Sequence, residues 1–196
     1  LEQGRQWILK GHQVTVLTGS SGSGLRLGRK KIGLLHSEGM TVVIFNLPPD
    51  NKIGKWRKHF AYRRFSAELE KQGQMLPKPD LIIAIMPPTE IARAVLKLKD
   101  KYVVPLVLEC REALPDYNVR GFNAFLKLID KYVGGSGEKA LQEAAQVVAV
   151  SDDIAASLKG YVGEQDKGKI KVIGKGLDEG PRFEGYERVF REAVNR

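Results

Sequence analysis

Three carboxylates and a guanidinium, those of Glu109, Glu112, Asp116 and Arg111, cluster in and just after the apolar run Val104–Cys110. A carboxylate in a loop that follows a strand can orient an acceptor hydroxyl or take its proton, and Glu112 is the candidate catalytic group for that work. Arg111 has two readings: it lines the same ligand cleft, or it ties the loop down through ion pairs. Other loops that follow apolar runs supply further cleft candidates, namely Gly19 and Ser20, Pro88 and Thr89, Ser151 and Lys175, together with Asp116. Gly19-Ser20-Ser21-Gly22-Ser23-Gly24 offers backbone N–H groups of the kind that cradle anions. It lacks both the Lys-Ser/Thr ending of a P-loop and the GxGxxG spacing of a dinucleotide site, so it is read as a flexible loop at the cleft mouth. Ser151 stands before Asp152 and Asp153 and is expected to cap a helix, since no histidine is placed to activate it as a nucleophile.

A second constellation is basic and aromatic. Trp56, Phe60 and Arg63 fall at i, i+4 and i+7 of the segment Lys55–Gln72, flanked by Arg57 and Arg64, while Tyr62, Phe65 and Leu69 share the opposite side. One face of such a helix can pack on a sheet while the other sets aromatics among anionic headgroups. Lys55, with Arg29, Lys30 and Lys31, adds cations near that surface, each worth on the order of 1 kcal/mol close to an anionic leaflet. The competing assignment is an ordinary solvated basic helix with Trp56 in the core. The net charge of +9 is confined to this region: residues 1–67 hold 12 Lys/Arg against 3 Asp/Glu, and residues 68–196 hold 20 of each. A localised excess points to one surface facing an anionic partner, whether lipid headgroups, a phosphorylated acceptor or nucleic acid.

These residues need a scaffold, and the apolar runs predict one. Val14–Thr18, Thr41–Asn46, Leu81–Met86, Val104–Cys110, Val147–Ser151 and Ile170–Ile173 read as strands, most of them continuously apolar, as in parallel sheets covered on both faces. Ile91, Val95 and Leu98, and likewise Ile154, Ala155 and Leu158, have the spacing of a helix face packed on a sheet. The expected class is α/β, a doubly wound, Rossmann-like and mainly parallel sheet with helices on both faces. His12 is read as structural, and His12, His36 and His59 form no metal-ligand spacing. Cys110, the single cysteine, excludes an internal disulfide. No apolar run approaches the roughly 20 residues that cross a bilayer.

A doubly wound sheet normally opens on a strand and a glycine-rich loop, whereas residues 2–10 already read as helix, so the first strand is expected to be missing. At the other end Tyr186, Val189, Phe190, Ala193 and Val194 form an amphipathic stripe that must dock on something.

Several segments in order carry a family resemblance: Lys10-Gly11-His12-Gln13-Val14-Thr15-Val16-Leu17-Thr18-Gly19, Lys78-Pro79-Asp80-Leu81-Ile82-Ile83-Ala84 with Pro87-Pro88, Val104 through Glu112, Ala145 through Ser151, and Ile170 through Asp178. Together they resemble the N-terminal half of family 4 glycosyltransferases, retaining enzymes of the GT-B fold, in particular those that build bacterial surface polysaccharides. Arg111-Glu112-Ala113-Leu114-Pro115 departs from the usual Arg-Asp, aromatic, Pro of that family, and Gly174-Lys175 replaces its usual Pro-Asn.

The resemblance implies an acceptor-side domain over residues 1–178, with residues 179–196 as a helix packing back on it and no donor-binding domain. It implies a nucleotide-diphosphate sugar as donor of the full enzyme, no cofactor held by this domain, and no transfer by this domain alone. The implied partners are a glycan or polyprenyl-diphosphate-linked acceptor, an anionic membrane surface and the missing donor domain, with no nucleic acid. The implied location is cytoplasmic, peripheral on the inner face of the plasma membrane. Two rivals remain from the residues themselves: a basic Rossmann-like nucleic-acid-binding module, and a fragment of an NAD-dependent epimerase or reductase.

Overall fold

The apolar runs become the strands of two separate sheets in the computed structural model, which describes residues 2–20, 31–47, 55–111, 135–174 and 179–195. The chain divides into two compact units, Leu1–Met75 and Leu76–Arg196.

In the first unit, α1 (Glu2–Leu9) leads into β1 (Thr15–Gly19). Gly11, at φ 87°, takes the left-handed turn that ends the helix, where a Cβ would be strained. His12 packs edge-on against Trp7 with ring centroids 5.4 Å apart. β2 (Ile32–Ser37) and β3 (Met40–Phe45) follow, and β3 lies at the centre of the order β1-β3-β2. Met40, Val42 and Ile44 form a buried cluster with Ile8, Val14 and Val16, which places α1 over that face of β3. Alternation along the strand sends Phe45 to the other face, where it meets Phe65 of α2 (Lys55–Gly73) at 5.4 Å between ring centroids.

β1 and β3 are parallel, as their continuous apolar character predicts, but β2 pairs antiparallel with β3 in a hairpin that the strand reading lacks. Its two-residue turn, Glu38-Gly39, has φ of 51° and 81°, positive at both positions as the strand twist favours. The segment escapes a pattern search because Leu34 and Leu35 are adjacent and both exposed at the sheet edge, so no alternation marks a buried face.

The second unit is a wholly parallel sheet of β4 (Ile82–Met86), β5 (Leu106–Cys110), β6 (Gln146–Ala149) and β7 (Ile170–Val172) in sequential order. α3 (Ala92–Tyr102) packs against β4 and against α4 (Gly135–Glu143), α4 packs against β5, and α5 (Asp152–Lys159) packs against β6 and β7. On one face of the sheet Ala84, Leu106, Leu108, Val147 and Ala149 are buried. α6 (Glu179–Val194) covers the opposite face, where Gln146 Nε2 donates to Glu192 at 3.1 Å and Lys171 lies 3.9 Å from the same carboxylate. The docked stripe is Tyr186, Val189, Phe190 and Ala193, all buried. All six strands read from the sequence are present, within two residues at each end.

Candidate functional site

Ligands of open α/β sheets gather beyond the carboxyl ends of the strands. In the second unit those ends are level, because the ladder continues past the strands: Arg111 N–H donates to Met86 O at 3.0 Å, Val150 N–H to Cys110 O at 3.3 Å and Ile173 N–H to Ala149 O at 2.9 Å. One edge of the sheet therefore carries Pro88 and Thr89 after β4, Arg111 after β5 and Ser151 after β6. Thr89 opens a short 3-10 turn, Thr89–Ile91, that leads into α3. Gly19 and Ser20 stand at the carboxyl end of β1 in the first unit. Glu112, Asp116, Lys175, Arg29 and Lys30 lie outside the described residues.

The ion pair at the end of β5 joins a buried group to an exposed one. Glu109 is 0% exposed and accepts the Nε–H of Arg111 at 2.7 Å, while the Arg111 side chain remains 44% exposed. Burying a carboxyl group without a polar partner is costly, and the guanidinium two residues on supplies one. The sequence offers Arg111 as either a tether or a cleft residue, and its Nε serves the first purpose. On the other side of Glu109 lies Tyr186 of α6, whose pKa is pushed up to about 12 by burial and then by the Glu109 charge. Arg182 acts on the same hydroxyl in the opposite sense, and Glu109 Oε2 has no hydrogen-bond partner among the described residues. Burial, with Glu109 again second, pushes the Cys110 thiol up to about 12, which removes it as a nucleophile.

The link from Tyr186 to Glu109 is the part of this site that the sequence conceals. Tyr186 occupies an apolar stripe, and only its hydroxyl, which needs a polar neighbour when buried, hints at more. Ser151 behaves as its context predicts: its extended backbone and side-chain oxygen, which accepts from Ile154 N–H at 3.4 Å, cap α5, with Asp152 and Asp153 favourable beside the helix N-terminus. No group of three metal-binding side chains occurs among the described residues.

On α2, Phe65, Ser66 and Leu69 are buried, whereas Arg57, Phe60, Arg63 and Arg64 are exposed, Phe60 at 58%. Arg57, Phe60 and Arg64 follow at i, i+3 and i+7, so an exposed aromatic is bracketed by cations on one helix face. Lys31 is exposed just before β2. Lys55 and Trp56 begin α2, but their side chains lie outside the description. No described helix is long and apolar enough to cross a membrane.

The sequence profile of Glycosyltransferase Family 4 matches residues 1–180. No curated protein matches the chain. Among solved structures, UGT89C1 of Arabidopsis thaliana in complex with UDP is similar at a TM-score of 0.52 and 19% identity, over 91% of this chain and 48% of that one. The same plant protein in complex with UDP-L-rhamnose gives a TM-score of 0.50 and 20% identity, over 91% and 45%. The chain thus spans about half the length of these structures. At such identity the likeness shows the fold, that of one half of a GT-B glycosyltransferase.

Proposed function

The chain belongs to glycosyltransferase family 4, and from that premise we propose that it forms the acceptor-binding half of a GT-B enzyme. That enzyme moves a sugar from a nucleotide-diphosphate donor to a glycan or lipid-linked acceptor in cell-surface polysaccharide synthesis. The nucleotide donor is supported by the UDP and UDP-L-rhamnose complexes of the structural neighbours. In this reading the acceptor lies along the carboxyl edge of β4, β5 and β6, and Glu112 is its candidate base. The donor diphosphate, whose leaving charge needs cationic partners, is assigned to a second Rossmann-like domain.

The observation that carries the rest is the outer face of α2. Arg57, Phe60, Arg63 and Arg64 project from a helix whose Phe65 and Leu69 are buried. An aromatic among cations suits the boundary of an anionic bilayer, where a lipid-linked acceptor presents its head. The protein is accordingly proposed to work peripherally, on the cytoplasmic face.

Vesicle flotation tests this. The purified protein is expected to float with vesicles rich in phosphatidylglycerol and to remain behind with phosphatidylcholine alone. Phe60→Ala combined with Arg63→Glu and Arg64→Glu should abolish flotation without unfolding. Tighter binding to duplex DNA than to anionic vesicles at matched salt would replace the membrane reading with a nucleic-acid one.

A further inference from the structure

The end of β5 presents more of Arg111 than its ion pair uses. Glu109 takes the Nε–H, the donor nearest the chain, and the carboxylate is fully buried beneath α6. No described residue takes a hydrogen bond or ion pair from its two terminal amino groups, and the side chain is 44% exposed. The backbone is fixed as well, by the Arg111 N–H bond to Met86 O and the Val150 N–H bond to Cys110 O. An arginine anchored at Nε and at its own amide has lost most of its rotamer freedom before any ligand arrives, while the parallel pair of N–H groups that suits an oxyanion remains available. It stands on the sheet edge where ligands of this architecture gather.

We propose that Arg111 binds a phosphate group of the acceptor through its terminal amino groups, and that Glu109 is the positioning residue that aims it. The proposal rests on the acceptor-side reading above and deepens it, because it names the residue that holds the acceptor's phosphate and the one that positions it. The Glu109–Arg111 pair is neutral in sum, so recognition depends on the paired donors and their fixed direction more than on net charge. A lysine, with a single mobile ammonium, cannot reproduce that geometry.

The phosphate can belong to a soluble phosphorylated acceptor or to a lipid-linked one, and the test separates the two. Inorganic pyrophosphate and farnesyl diphosphate are titrated into the purified protein, with binding followed by calorimetry and the arginine side-chain N–H signals by NMR. Binding of pyrophosphate is expected to shift the terminal N–H signals of Arg111 and leave its Nε–H bonded to Glu109. Arg111→Lys keeps a cation beside Glu109, so the protein should still fold, at a lower melting temperature, and binding should weaken by about tenfold or more, as expected for loss of a bidentate contact worth about 1.4 kcal/mol or more. Glu109→Gln should weaken binding less and broaden the Arg111 signals, and Arg111→Lys carries the test if that buried variant does not fold.

Tighter binding of farnesyl diphosphate than of pyrophosphate would assign the phosphate to a lipid-linked acceptor, and equal binding to a soluble one. Pyrophosphate binding that is absent, or unchanged in Arg111→Lys, would overturn the proposal and leave Arg111 as a counter-ion for Glu109. Because this assay needs neither vesicles nor a donor sugar, a failed flotation experiment with intact Arg111-dependent binding would remove the membrane reading alone.

Discussion

The Ser20 hydroxyl accepts the Leu47 N–H at 2.9 Å and donates to the Leu47 carbonyl at 3.2 Å. With Ser20 N–H bonded to Phe45 O at 2.8 Å, this clamps the carboxyl ends of β1 and β3 together one step beyond their paired residues. Gly19 fits beneath it, since a Cβ there would collide with Leu47 Cδ1. Ser20→Ala removes both side-chain bonds and leaves the part-buried Leu47 N–H without its hydroxyl partner, so it should lower stability by about 1–3 kcal/mol. Ser20→Thr, which keeps a hydroxyl, should lose much less. Urea denaturation of the two variants checks this; equal losses would mean that the hydroxyl is not what holds the strand ends.

α6 gives a contrast within one helix. Val189 is 2% exposed and Val194 is 51% exposed, five residues apart on the same amphipathic pattern. Val189→Asp puts an unpaired carboxylate into the core and should cost several kcal/mol, enough to lower the melting temperature steeply. Val194→Asp should stay within about 0.5 kcal/mol of the parent. Phe190→Ala should cost about 3–5 kcal/mol through the cavity it leaves. A thermal denaturation series in which Val189→Asp and Val194→Asp behave alike would mean that α6 is not docked on the sheet in solution.

Much of this arrangement is legible in the residues, and the exceptions have physical causes. Continuous apolar runs such as Leu106-Val107-Leu108 mark a strand buried on both faces, because the parallel sheet gives them no solvent side. β2 leaves no such mark: its leucines are exposed at an edge, and Glu38 stands at a turn position where Asn or Asp would signal a hairpin. At the candidate site, the sequence places Glu109 and Arg111 at the end of a strand but cannot say which face Glu109 meets. That depends on α6, whose Tyr186 and Glu192 reach the strands through tertiary packing, with no periodicity linking them to β5 or β6.

Two buried groups beside Glu109 set an alkaline limit on stability. Burial, followed by the Glu109 charge, raises Cys110 from 9.0 and Tyr186 from 10.0, each to about 12. A folded pKa above the unfolded one means that the native state holds its proton longer. These groups therefore leave stability unchanged below pH 9.0 and erode it as the pH climbs from the unfolded values towards about 12. The loss approaches about 1.4 kcal/mol for each tenfold difference in proton affinity. Denaturation midpoints measured across that range should fall, and less so in Cys110→Ala. In the native protein near neutral pH, Cys110 should resist a disulfide-exchange reagent and react only on unfolding; rapid native-state labelling would contradict its burial.

Val103 closes α3 in a conformation that its side chain opposes. Its φ of 53° and ψ of 60° are left-handed, and its N–H caps the helix by bonding to Lys99 O. Glycine or asparagine is usual at such a helix end, and for a β-branched residue the left-handed region is an outlier. Packing does not explain the choice, since Val103 is 82% exposed. Val103→Asn keeps the capping N–H, removes the β-branch and supplies a short polar side chain that bonds to the nearby backbone in the left-handed region, so it should raise stability by about 1 kcal/mol. Val103→Gly should gain less, because glycine also adds freedom to the unfolded chain. Chemical denaturation of both variants decides the matter: if both lose stability, the valine side chain makes contacts that outweigh its strain.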